Sequence, residues 1–232
     1  MSDTAMPFAD TRDMYTVHAM MRREFALLPG LVRRVEAGDS ARAQVVADHI
    51  TLLTLVLNEH HAAEDAVLWP KLLSRAPKEI APVVHLLEEQ HAEIDTLTDH
   101  VNALLAPWTS GAGLNDRDAL SEALDALAVL LDGHLQLEER LILPVVERHI
   151  FASEWQKMVE DGATKIPAEV VPLVFGMLMY GGGSDAVPPE ARIVLADEAP
   201  RAYAAHCEHV HGTSTPPTRT LSHRNYTTPW PT

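Results

Sequence analysis

His60 and Glu64 stand four residues apart in NEHHAAED, and His134 and Glu138 stand four apart in HLQLEER. Residues i and i+4 lie on one face of a helix with Cβ atoms roughly 5–6 Å apart, so each pair can reach a common ion. The segment around the first pair, VVADHITLLTLVLNEHHAAEDAVLWPKLL, is otherwise apolar. Leu53, Val56 and Leu57 continue the face of His60 and belong to a core stripe, which aims the polar pair inward. Unpaired ionised carboxylates are costly in such a place, and a metal ion removes that cost.

The two pairs belong to an internal repeat. Laying HHAAEDAVLWP (60–70) over HLQLEERLILP (134–144) aligns His60 with His134, Glu64 with Glu138, Asp65 with Glu139 and Pro70 with Pro144. Upstream, His18 and His91 each fall in the helix that precedes one of these segments. Two helical hairpins of one design result, each offering a lone histidine and a His-x-x-x-Glu pair. Position 61 matches Leu135, which has no atom able to ligate a metal, so His60 is preferred over His61. His61 is expected to be a neighbour of the ligands or to face solvent.

The expected metal ligands are therefore His18, His60, Glu64, His91, His134 and Glu138. If Glu64 and Glu138 each bridge two ions, each ion receives two histidines and two carboxylate oxygens. An oxo or hydroxo bridge then leaves one open position on each. Imidazole with carboxylate suits iron, manganese or zinc, and an octahedral pair with open positions suits iron best. The expected cofactor is an oxo- or hydroxo-bridged pair of iron ions, and the expected partner is a small diatomic ligand or peroxide.

Four long segments with apolar residues at helical spacing must position these groups: roughly 11–37, 41–75, 78–106 and 116–150. Ala-Gly-Asp-Ser at 37–40, Ala76-Pro77 and a Gly-rich turn from Pro107 to Asn115 punctuate them. Short links make antiparallel neighbours, so an all-α, up-down-up-down four-helix bundle is expected over 11–150. Residues 151–232 read as a helical extension ending in a Pro/Thr-rich tail. Within it SEWQKMVEDG reads as a short amphipathic helix, and PPEARIVLADEAPRAYAAHCEHVHG as one or two more. IPAEVVPLVFGMLMYGGG is apolar but too short and too broken to span a bilayer. Its uses would be packing on the bundle, seating a homodimer partner or forming a channel mouth.

Eighteen basic residues against 33 acidic ones give a formal charge of −15, which disfavours nucleic acid and anionic membranes. No run of about 18 apolar residues and no signal-peptide pattern is visible, so a cytoplasmic protein is expected. A single cysteine, Cys207, agrees with a reducing compartment. No Ser/His/Asp constellation competes for the chemistry, and the glycines at 181–183 lack the strand context of a nucleotide site. His49, His85, His100 and His149, and the cluster from His206 to His211, read as surface residues. Asp65 and Glu139 read as exposed or as neighbours of the ligands, and Asp95 as solvated surface or a proton shuttle.

His18, the H-x-x-x-E of His60 and Glu64, His91, and the H-x-x-x-E of His134 and Glu138 lie in order on four successive helices. This pattern resembles the bacterial branch of the hemerythrin family, the HHE cation-binding domain, over about residues 11–150. The resemblance implies a left-handed bundle around a non-haem di-iron centre bridged by Glu64 and Glu138, reactive with O2, nitric oxide or peroxide. Oxygen-carrying members have a fifth histidine where this chain has Asp95, and a final Asp five residues after histidine where this chain has Glu138 at four. The four-His, two-Glu set looks more like members implicated in iron sensing, nitric-oxide response or peroxide removal. No separate catalytic acid or base is evident, and a sensor whose 151–232 region relays to a partner is the competing expectation.

Overall fold

The computed structural model describes residues 6–182 and 193–218. Among these residues the regular structure is helical, apart from one antiparallel bridge between Phe8 and Phe151. The helices are α1 (Arg12–Arg33), α2 (Ser40–Ala63), α3 (Trp69–Arg75), α4 (Ala81–Gly111), α5 (Leu114–Leu141), α6 (Leu143–His149), α7 (Ala152–Ala163), α8 (Val171–Met179) and α9 (Glu198–His211). Helices α1, α2, α4 and α5 close a ring in which each packs on its two neighbours. The short links read from the sequence leave little choice of partner.

Local chemistry sets the helix ends. Asp39 caps α2 by accepting from the Arg42 N–H at 2.9 Å. The turn expected from Pro107 to Asn115 shrinks to Ala112–Gly113, because α4 runs on through Pro107 to Gly111. Buried Trp108 anchors that extra turn, and Ala112 closes it in the left-handed region at φ 45° with its N–H on Trp108 O.

Pro70 and Pro144 act alike in the two hairpins. A proline inside a helix lacks the N–H donor and crowds the carbonyl four residues back. Before Pro70 the helix widens into a π-turn over Glu64–Leu68, where Trp69 N–H reaches back five residues to Glu64 O. Before Pro144 the helix breaks at Ile142 and restarts as α6. Both interruptions directly follow a His-x-x-x-Glu pair, as π-turns often do at functional sites.

Two apolar clusters divide the interior. One contains Met20, Leu57, Ile94 and Leu135. The other contains Met14, Leu68, Leu87 and Ile142. His18, His60, His61, Glu64, His91 and Glu138 fall between residues of these two clusters along their helices, so the polar layer has apolar packing above and below it.

The extension folds back on the bundle. Helix α7 lies against α2, α8 packs on α9 and α1, and α9 also meets α2. The N-terminal segment is tied to the α6–α7 junction by Ala9 N–H on Ile150 O and Ala152 N–H on Pro7 O, both 2.9 Å. Close packing joins α8 to α9: a Cβ built on Gly176 would stand 2.2 Å from Ala199 O. The expected short helix at SEWQKMVEDG is α7, whereas most of the Pro/Thr-rich tail lies outside the described residues. No single described helix is long and apolar enough to cross a membrane.

Candidate metal centre

All six expected ligand residues converge in the polar layer, together with His61. One group of ligand atoms comes from His18, His60, Glu64 and Glu138, and a second from His61, Glu64, His91 and His134. Within each group the atoms lie within 4.8 Å of one another. Glu64 belongs to both. Its Oε1 is 3.5 Å from His60 Nε2 and its Oε2 is 3.5 Å from His91 Nε2. Glu138 Oε2 lies 3.4 Å from His18 Nε2.

Hydrogen bonds from outside the centre turn the rings. His91 Nδ1–H donates to Asp65 Oδ1 at 2.7 Å, and Trp69 Nε1–H donates to the same oxygen. His18 Nδ1–H donates to Glu139 Oε1 at 3.0 Å, and Arg22 reinforces that oxygen at 2.6 Å. His134 Nδ1–H donates to Gln90 Oε1 at 3.2 Å. Each of these rings is left with a bare Nε2 facing the centre, the arrangement that fixes metal-binding imidazoles.

The residues present fit a bound pair of cations. Both oxygens of Glu64 and of Glu138, both ring nitrogens of His61, and the Nε2 atoms of His18 and His60 are buried without a hydrogen-bond partner. Native interiors rarely leave so many polar atoms unsatisfied in one place. The Nε2 atoms of His91 and His134 face each other at 3.2 Å. With both Nδ1 atoms donating outward, two lone pairs meet there, and only a positive charge makes that contact favourable.

Electrostatics agree. Burial pushes the Glu64 carboxyl well above its usual range, and the charge of Glu138 adds to the shift. Burial likewise raises Glu138. Burial, then neighbouring imidazoles, holds His60 and His61 well below the usual histidine value and His134 at about 3. The imidazoles are thus held neutral, the form that ligates metal. Burial works against the charge of Glu139, but hydrogen bonds from His18 and Arg22 outweigh it and keep that carboxyl below the usual range.

Residues 9–146 match the hemerythrin HHE cation-binding domain. The chain belongs to the hemerythrin family. Its bundle is a metal-binding domain. No curated protein and no solved structure matches the chain.

Within this hemerythrin domain His61 takes the first of its two expected places, beside the ligands, and does not face solvent. It is 2% exposed, stacks on His91 with ring centroids 4.0 Å apart, and takes no hydrogen bond. The repeat carried a signal that it would be inside, because its counterpart Leu135 is fully buried. Leucine at 135 reports the direction of the position and says nothing about the chemistry of a histidine placed there. Asp95, in contrast, is exposed and joins neither ligand group; it borders an open polar recess with His61, Asp65 and Asp99. His85 and His100 are exposed, as expected.

The hemerythrin bundle alone does not form the approach to the centre. An apolar cavity of about 220 Å³ reaches His60 and Glu64, and its walls include Val17 and Val56 from the bundle with Trp155, Phe175 and Leu178 from α7 and α8. Of the uses considered for the apolar segment at 166–183, packing on the bundle is seen in the described part, where α8 meets α1.

Proposed function

We propose that this protein is a non-haem di-iron protein whose centre reacts with O2, peroxide or nitric oxide. The observation that carries the reading is Glu64, one carboxylate whose two oxygens face two separate histidine groups. That is the disposition of a bridge. His18, His60 and Glu138 would complete one ion's shell, and His61, His91 and His134 the other's. Iron bound there would supply electrons and open coordination positions to a small molecule.

The residues of the chain supply the rest. Asp65, Glu139 and Gln90 hold the rings in orientation, and the apolar packing above and below keeps bulk water from the layer. The cavity wall of Val17, Val56, Phe175 and Leu178 favours a small uncharged ligand over an anion. Peroxide removal or nitric-oxide handling suits such a path, as does a role in oxidative or nitrosative stress defence.

A sensing role is the second reading, and it is favoured by α7 and α8 forming part of the cavity wall. A ligand arriving beside His60 would press on the extension directly. Peroxide turnover separates the two readings: an enzyme consumes many equivalents per chain, whereas a sensor binds about one and stops.

The test is to load the full chain with ferrous iron under anaerobic conditions, count iron per chain, and record the optical spectrum as air is admitted. Close to two irons and new near-ultraviolet charge-transfer bands are expected. Folded protein that retains little iron and stays featureless would overturn the proposal.

A further inference from the structure

A second group of metal-capable side chains lies away from the centre, where the extension docks. Glu24 of α1, His49 of α2 and His211 at the end of α9 each offer a ligand atom within 4.8 Å of the others. On α2, His49 precedes His60 by three turns, about 16 Å along the axis at 1.5 Å per residue. Both His49 and the cluster around His211 were expected on the surface, yet His49 is 1% exposed and Glu24 is fully buried. The C-terminal helix covers them.

Each of the three residues has one buried atom without a partner: Glu24 Oε2, His49 Nε2 and His211 Nδ1. The other polar atoms of Glu24 and His49 are held from behind. Glu24 Oε1 accepts from Tyr203 O–H at 2.5 Å and from Arg23 Nε–H at 2.8 Å. His49 Nδ1 lies 3.0 Å from His206 Nε2, so with His49 donating there its Nε2 lone pair faces the cluster. An outward hydrogen bond on the far nitrogen is the usual support of a metal-bound imidazole.

We propose that Glu24, His49 and His211 bind one divalent transition ion, zinc by preference, as a clamp that fastens α9 to α1 and α2. Two imidazoles and one carboxylate with an open fourth position form a known zinc donor set. Cys207 is buried nearby but does not belong to this group of ligand atoms, and burial raises its thiol to about 11. Burial also keeps His211 at about 4 and His49 well below the usual value, so both rings are neutral and ready to ligate. Ligands on a tetrahedral ion with bonds of about 2.0–2.1 Å stand about 3.4 Å apart, a spacing that three ligand atoms lying within 4.8 Å of one another can meet.

The experiment uses the full chain, first loaded with iron and then titrated with zinc, with both metals counted after gel filtration. Wild type is expected to gain one zinc per chain without losing iron, and to gain amide-exchange protection in α9. His211→Ala, a half-buried site at the helix end, is expected to keep its helicity and iron spectrum and to lose at least tenfold in zinc affinity. His49→Gln provides a second variant from inside the bundle with the same expected loss. Failure of wild type to take up zinc, uptake only at the expense of iron, or unchanged zinc binding in both variants would overturn the proposal.

Discussion

Asp65 holds the Nδ1 of His91 at 2.7 Å, and the repeat-related Glu139 holds the Nδ1 of His18 at 3.0 Å. Each acidic residue follows the glutamate of a His-x-x-x-Glu pair on one hairpin and orients the lone histidine of the other. The hairpins are thus cross-linked by these two supports, and each group of candidate ligand atoms also draws on both hairpins.

That exchange predicts a graded effect. Asp65→Asn and Glu139→Gln keep shape but weaken the acceptor, and each should lower metal affinity by about 10–100-fold without unfolding the bundle. Competition with a chelator of known affinity measures the loss. Unchanged affinity in both variants would leave Asp65 and Glu139 as ordinary ion-pair partners.

His61→Leu copies the second hairpin's Leu135 into the first. The variant should fold, because that position already accommodates leucine in the repeat, but iron per chain should fall from two toward one as the His61, His91, His134 group loses an imidazole. Elemental analysis decides the matter. Full iron content with an unaltered spectrum would make His61 a packing residue only.

Metal uptake should release protons and strengthen with rising pH. In the metal-free chain burial raises the Glu64 and Glu138 carboxyls, so a bound cation, which favours their ionised form, competes with protons at both. Calorimetry in buffers of different ionisation enthalpy counts the protons released at each pH, and a metal affinity that stays flat as pH is lowered through the carboxylate range would contradict the assignment.

The same shifts set the pH stability of the metal-free protein. A raised carboxyl binds more protons folded than unfolded, so its contribution falls as pH rises from 4.5 toward the folded value. The depressed histidines bind more protons unfolded, so theirs falls as pH drops below 6.5 toward about 3 at His134. Between 4.5 and 6.5 the two trends oppose. Denaturant midpoints of the apo chain should therefore decline as pH falls below 4.5, where the carboxyl contribution no longer opposes the histidine loss.

Gly176→Ala tests how the extension docks. The added methyl would meet Ala199 O at 2.2 Å and Tyr203 Cβ at 2.7 Å, and neither can swing aside. A cost of about 1–3 kcal/mol is expected from such overpacking. It should appear as a lower melting temperature and faster exchange in α8 and α9, with the helices of the bundle unaffected. A melting temperature equal to wild type would show that α8 and α9 can separate freely.

Much of this protein was legible in its residues. Period and punctuation marked the four bundle helices, because 3.6-residue spacing and turn chemistry act locally. The i, i+4 pairs and their repetition brought His18, His60, Glu64, His91, His134 and Glu138 into one candidate site, and position 139 already matched position 65. Tertiary structure alone decided the rest. That His61 turns inward as well as His60 depends on the helices packed against α2, which bring His91 and His134 onto its ring. That His49 is buried depends on α9, more than 150 residues further along the chain, covering it. A sequence shows which face of a helix a residue occupies; what lies against that face is set by distant segments whose packing leaves no local period to read.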